Sequence, residues 1–212
     1  MDENRAKRNQ LLAATVIRGL ESRNMQGYYA ATREEALRMA LELIPQGSSV
    51  SWGGSMSIQE IGLKQAVLEG NYRVYNRDAA HTPEERHEVE MAVYDTDFFL
   101  TSSNAVTEDG ILVNIDGNSN RVSAIAYGPR HVLMIVGMNK ICRDVDAAVS
   151  RARGEAATCN AQRFPIQTPC RITGTCADCK SPDTICCQFL TTRFSRHAGR
   201  IQVILVGEDL GF

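Results

Sequence analysis

Residues 49–69, SVSWGGSMSIQEIGLKQAVLE, decide the fold. Ser49 to Trp52 reads as a short strand, and Gly53-Gly54-Ser55 as the tight turn that ends it. Ser57, with Glu60 three residues on, forms a capping box, the pairing that satisfies the first free N–H groups of a helix. The spacing predicts that this helix runs to Glu69. Strand, turn and helix in that order make half of a crossover between parallel strands.

The same grammar extends in both directions. Upstream, Leu11, Leu12, Val16 and Leu20 recur at helical spacing and predict an amphipathic helix over about residues 3–24, broken by Gly27. Tyr28-Tyr29-Ala30 follows as a strand, and Thr32 with Glu35 caps a helix to about Leu43 that Pro45-Gln46-Gly47 stops. Downstream, Gly70-Asn71 closes the unit and Tyr72 to Tyr75 is a strand. Thr82, Pro83, Glu84 and Glu85 then open a helix over 83–93. Asp97 to Thr101 is again a strand. Alternating strands and helices from residue 27 onward define an α/β domain with a mostly parallel sheet.

After residue 101 the alternation lapses. Val106 to Ile115 reads as a turn at Glu108-Asp109-Gly110 leading into a strand over Ile111 to Ile115, followed by the loop Asp116-Gly117-Asn118-Ser119-Asn120. Asn120 is expected to cap a short helix through Tyr127 that Gly128-Pro129 ends. His131 to Val136 is the most apolar strand, and Asp144 caps a helix to about Ala157. Residues 159–187 hold most of the cysteines and no sustained period, and Ile201 to Val206 returns as a β-branched strand. The expected organisation is an N-terminal helical arm, 1–25, for packing or for a homodimer contact, and an α/β domain, 26–212. The cysteine-rich stretch 159–187 is an excursion from that domain.

With 212 residues, 43% hydrophobic, 23% charged and a net charge of -2, the chain suits one globular domain and has no bulk affinity for nucleic acid or anionic membrane. Met1 to Gln10 is charged and polar with no apolar stretch behind it, so the expected compartment is the cytoplasm. The longest apolar run, His131 to Gly137, suits a buried strand and not a membrane span. In a reducing compartment the seven cysteines point to metal binding or redox chemistry and not to a disulfide framework.

Their spacing sharpens that expectation. Cys170, Cys176, Cys179 and Cys186 fall within 17 residues, in a segment that Pro169, Gly174 and Pro182 keep irregular, so the chain is free to wrap its sulfurs around one centre. Four thiolates with one C-x2-C pair, Cys176 and Cys179, suit either a structural zinc ion or an iron–sulfur cluster. The spacing leaves the two open. The competing reading, small buried cysteines, fits poorly with polar neighbours such as Thr173, Thr175, Asp178, Lys180 and Asp183. Cys142 lies apart and is expected in the core, with Cys159 and Cys187 as spare ligands at best.

Two further stretches carry candidate ligand groups. Gly53, Gly54, Ser55 and Met56 follow a strand and open a helix, placing free N–H groups at the carboxyl edge of the sheet where an anion could bind. A tight connection would use the same residues, and the turn matches neither the P-loop nor the dinucleotide fingerprint. Ser102-Ser103-Asn104, Glu108-Asp109-Gly110, Asn114, Asp116-Gly117-Asn118 and Asn120-Arg121 form a polar run beyond the strand at 97–101, where open α/β sheets bind ligands. Turns and caps require the same residue types. Neither a serine-nucleophile motif nor a histidine metal spacing supports hydrolase chemistry.

Ser51-Trp52-Gly53-Gly54-Ser55-Met56 running into Glu60-Ile61-Gly62-Leu63 resembles the LUD-domain family, associated with lactate utilisation. So do Ala105-Val106-Thr107-Glu108-Asp109-Gly110 with Asn114, Asp116, Gly117 and Asn120-Arg121, and Tyr127-Gly128-Pro129 leading to Val136-Gly137 and Asn139-Lys140. The likeness covers most of the chain from about residue 26. It implies a Rossmann-like three-layer α/β/α sandwich similar to the sugar-phosphate isomerase and CoA-transferase folds, with the glycine turn in the phosphate-binding position. Asn104 stands where sugar-phosphate members of that group carry an aspartate, and an amide is no general base. The cysteine tail from Thr168 to Cys187 and the segment Val206 to Phe212 resemble a short single-domain branch.

The first expectation is therefore a LUD-domain protein of lactate-linked or redox metabolism, with a metal or cluster on the cysteines and a small anionic metabolite at the glycine turn. The second is a sugar-phosphate or CoA-type isomerase or transferase using Glu108, Asp109 or Asp116 for proton transfer. The third is a non-catalytic subunit of a redox assembly, working with redox partner proteins.

Overall fold

The chain's most apolar segments form the middle of one parallel sheet. The computed structural model describes residues 2–212, so Met1, the first residue of the expected arm, lies outside it. In chain order the elements are α1 (Glu3–Ser22), β1 (Gln26–Ala30), α2 (Arg33–Leu43), β2 (Ser49–Trp52), α3 (Met56–Glu60), α4 (Leu63–Glu69), β3 (Arg73–Val74), α5 (Pro83–Ala92) and β4 (Phe98–Thr101). There follow β5 (Ala105–Thr107), β6 (Leu112–Asp116), α6 (Asn120–Ala126), β7 (His131–Gly137), β8 (Ile141–Cys142), α7 (Val145–Arg151), α8 (Ala157–Ala161), α9 (Pro169–Thr173), β9 (Gln188–Thr192) and β10 (Ile201–Val206).

Six strands pair in the order β1-β10-β7-β4-β2-β3, each parallel to its neighbours. Val132, Met134 and Val136 of β7 and Ile201, Val203 and Leu205 of β10 point into one core cluster, with Ala13, Val16 and Leu20 of α1 and Ala124 and Ile125 of α6. Leu133, Ile135, Ile204 and Val206 point into the other, against Ala36 and Ala40 of α2, Ile58 of α3 and Leu63 and Val67 of α4. Burial on both faces is why these strands are continuously apolar instead of alternating. The result is the expected α/β/α sandwich. The first helix is part of it: Ala13, Val16 and Leu20 are fully buried.

Several local readings change. The helix after the glycine turn is capped by Ser55, whose Oγ accepts from Ile58 N at 3.4 Å, while Ser57 turns inward. Gly62, at φ +77°, then splits the expected single helix into α3 and α4. Thr32 caps α2 as expected, but the Glu35 carboxylate accepts from Ala31 N, one residue earlier than a capping box requires. Asn120 is not a cap; Ser119, at φ +65°, holds that position without a side-chain bond. The helix capped by Asp144 continues past Ala157 to Ala161 through a π-helical stretch, Ala152–Ala156.

A second sheet, in the order β8-β5-β6-β9, was not foreseen. β5 and β6 form an antiparallel hairpin, β8 adds parallel to β5, and β9 adds antiparallel to β6 along five residue pairs. The cysteine-rich excursion thus ends by pairing with the hairpin, ahead of β10.

Candidate functional site

The strand order locates a crevice. From β2 the chain moves outward to the edge strand β3; from its neighbour β4 it moves inward to β7. Connections that leave adjacent strands in opposite directions part at their carboxyl ends, where open α/β sheets bind ligands. The glycine turn follows β2 there, Ser102 and Asn104 follow β4, and Met138–Lys140 follows β7.

Arg121 of α6 organises this edge from beneath. Its side chain is 11% exposed and donates to the carbonyls of Ser102 (3.2 Å) and Ile115 (2.7 Å) and to the amide oxygens of Asn114 (2.7 Å) and Asn104 (2.9 Å). Asp116 is its ion-pair partner at 3.6 Å. Burial pulls the guanidinium pKa down, and Asp116 opposes the shift. Gly53 is glycine because a Cβ there would stand 2.9 Å from Arg121 Cγ and 3.1 Å from Phe99 Cζ. The structure therefore brings Gly53, Asn104, Asn114, Asp116 and Arg121 together, yet most of their polar atoms serve one another. Asn114 Nδ2 is buried without a partner.

Other candidates lie apart. Asp109 pairs with Arg23 at the far end of α1, and the bond from Thr107, with Arg23 beside it, holds its carboxyl below the usual range. Glu108 sits in the same hairpin turn, away from the carboxyl edge. Asn120 donates to Glu90 at 3.3 Å. Gly117 lies under the cysteine-rich segment, where a Cβ would be 3.1 Å from Ile185 Cα.

Sequence reasoning named the group at the centre of the crevice only within the family likeness and gave it no role. Lys140 is 3% exposed, and its Nζ donates to Ser57 Oγ (3.0 Å) and Ser102 Oγ (3.1 Å). Burial, reinforced by Arg151 and Arg121, lowers its pKa to about 7. The available signal was a lysine directly after the chain's most apolar strand, where a charge is costly unless neutralised.

The cysteine site lies to one side, over the second sheet. Cys170 comes from α9, Cys176 and Cys179 from the loop after it, and Cys186 from just before β9; together they line a cavity of about 60 Å³ with Arg153, Thr168 and Phe189. Burial and the facing thiols of Cys170, Cys176 and Cys179 push the Cys186 thiol up to about 11, and Arg153 opposes this. Arg153 lies 3.9 Å from Cys176 Sγ and pairs with Asp178. Cys159 and Cys187 are exposed and do not line the cavity, and Cys142 packs half-buried beside a small apolar cluster.

A zinc tetrahedron with bonds of about 2.3 Å would hold its sulfurs about 4 Å apart. Among the described residues no three His, Cys, Asp or Glu side chains are gathered closely enough for a single ion. The four thiols line one cavity. That space is several times the roughly 10–15 Å³ that one water needs.

No helix among the described residues is long and apolar enough to cross a membrane. The family model of the LUD domain matches residues 13–206. None of the curated protein sequences matches the chain. Among solved structures, a DUF162-family protein from Deinococcus radiodurans is similar at a TM-score of 0.54 and 12% identity, over 93% of this chain and 98% of that one, which bears on the fold alone. The eIF2B delta subunit from Chaetomium thermophilum reaches a TM-score of 0.36 at 15% identity, over 68% of this chain and 57% of that one, too weak a likeness to argue from.

Proposed function

Because the chain belongs to the LUD-domain family, we propose that it serves lactate-linked or redox metabolism as a protein that holds an iron–sulfur cluster on Cys170, Cys176, Cys179 and Cys186. The observation carrying this reading is the meeting of four thiols, spread over 17 residues, on one cavity. The space between them favours a cluster, whose thiolates bind at its outer corners, over a single zinc ion. When bound, such a cluster supplies one-electron transfer. The chain's residues provide the rest. Thr168 Oγ1 lies 3.3 Å from Cys170 Sγ, Arg153 sets a positive charge beside the thiolates, and half-exposed Phe189 lines the cavity wall. Hydrogen bonds, charge and exposure of this kind tune cluster potentials.

Anaerobic purification with iron and acid-labile sulfide analysis tests the reading. Iron and sulfide in equal amounts, a broad visible absorption that dithionite bleaches, and loss of both in Cys176→Ser are expected. Zinc without sulfide would replace the cluster with a structural ion, and protein with no metal, even after reconstitution with iron and sulfide, would end the proposal.

The reading includes a small anionic ligand at the carboxyl edge near Gly53–Met56. Its support is the divergence of the chain between β2 and β4, together with Lys140 and Arg121 at that point. A thermal-shift series with lactate, pyruvate, phosphosugars and CoA esters checks it, since any ligand of the folded state raises Tm. A response confined to phosphosugars or CoA esters would favour isomerase or transferase chemistry.

A further inference from the structure

Lys140 gives the anionic site proposed above, on which this inference rests, a chemistry of its own. Of the chain's four lysines, Lys7, Lys64, Lys140 and Lys180, it alone is buried. It stands where three strands end: Ser57 comes from the helix after β2, Ser102 from the end of β4, and Lys140 from the turn after β7. The charges around it are Arg121 of α6, Arg151 of α7, Glu60 of α3 and Glu155 of the π-helical stretch, and no carboxylate forms an ion pair with it. A purely structural lysine at such a depth would be matched by a bonded carboxylate.

From this geometry we infer that Lys140 is the reactive amine of a site that forms an imine with small anionic carbonyl compounds of the 2-oxo acid type. A neutral amine has two N–H bonds. With both directed at Ser57 and Ser102, the lone pair remains for a carbonyl carbon. In the reaction nitrogen attacks that carbon, a C=N bond forms, and the carbonyl oxygen leaves as water carrying the two amine protons, with the serine hydroxyls in position to relay them. Burial, which holds the amine near neutrality around pH 7, removes the usual obstacle to lysine nucleophilicity. The flanking guanidinium groups spend their N–H bonds on the protein, so they favour an anion through their field.

The segment from Glu208 to Phe212 covers the amine and must lift for entry. Leu210 N donates to Asn139 Oδ1 (3.1 Å) and Gly211 N to Glu60 Oε2 (2.9 Å), and Gly211 comes so close that a Cβ would stand 3.3 Å from Lys140 Nζ. On its other side this segment borders a groove of about 570 Å³ that includes Arg5, Arg8, Asn139 and Asp209, an approach suited to an anion.

The test is trapping. Full-length protein, as purified and after removal of any metal, is incubated with pyruvate at pH 7.5 and reduced with borohydride, which supplies hydride to the imine, and adducts are mapped by peptide mass spectrometry. Lys140 should be labelled on the order of tenfold or more above the other lysines. Labelling should vanish in Lys140→Met, with folding checked by circular dichroism, and acetone should label far less than pyruvate. Adducts absent from Lys140, or spread evenly over the lysines, would overturn the inference, and equal labelling by acetone would overturn the anionic class. None of these outcomes depends on the cysteines, so the cluster stands or falls separately.

Discussion

Lys140→Met should change how stability depends on pH, by an amount that follows from the burial of the amine. The folded protein holds Lys140 near a pKa of 7, against 10.5 for the exposed side chain. Between those values the unfolded chain binds more protons, so stability rises with pH. The penalty is complete below about pH 7 and gone above about 10.5. From pH 7 to 8.5 this one group should therefore add about 1.6 kcal/mol. For a chain of this length that corresponds to roughly 3–6 °C in Tm. Methionine is close in volume and uncharged, and Ser57 and Ser102 keep acceptors for their own hydroxyls, Leu210 O at 3.4 Å and Ser103 O at 3.3 Å. Urea unfolding of both proteins at four pH values measures the difference directly. Cysteine titration cancels in that difference. Parallel curves for the two proteins would refute the neutral amine, and with it the chemistry assigned to Lys140.

Alkylation of the metal-free protein at pH 8 should modify exposed Cys159 and Cys187 first and Cys186 last, because the thiolate is the reactive form and the Cys186 thiol stays protonated; timed mass spectrometry gives the order. Metal or cluster uptake should release protons and weaken below neutral pH, as titration in a weakly buffered indicator solution would record. Gly53→Ala should cost about 1–3 kcal/mol by pressing on Arg121 and Phe99, read from denaturant midpoints. Arg121→Met should cost about 3–5 kcal/mol, since it leaves Asp116 and the amide oxygens of Asn104 and Asn114 without their shared donor.

The parallel sheet was legible because its signals are local and repeated. Each strand from Tyr28 to Tyr75 is followed by a helix cap, and the apolar runs at 131–136 and 201–206 announce two interior strands. The second sheet was not legible. β5 has three residues, and β9 pairs with β6 across more than 70 residues of chain with exposed positions at Gln188, Phe189 and Thr191. Nothing local marks such a strand. The four cysteines line one cavity, as their closeness in sequence allows. The polar run was readable as a cluster but not by purpose, since the same amides and carboxylates serve a ligand or an internal arginine, and only their geometry shows Arg121 at the centre. Lys140 was given no role for the opposite reason, as a single residue whose meaning comes from Ser57 and Ser102, each from a different crossover.

β10 lies between β1 and β7, so the first strand of the sheet has no partner but the last. During synthesis β1 must wait until more than 170 further residues have emerged, and the whole cysteine-rich segment passes before that wait ends. Pairings this distant are slow to close and leave edges exposed meanwhile. The thiols are thus presented on an unfinished protein, and the cluster proposed for them would have the interval before β10 docks in which to arrive.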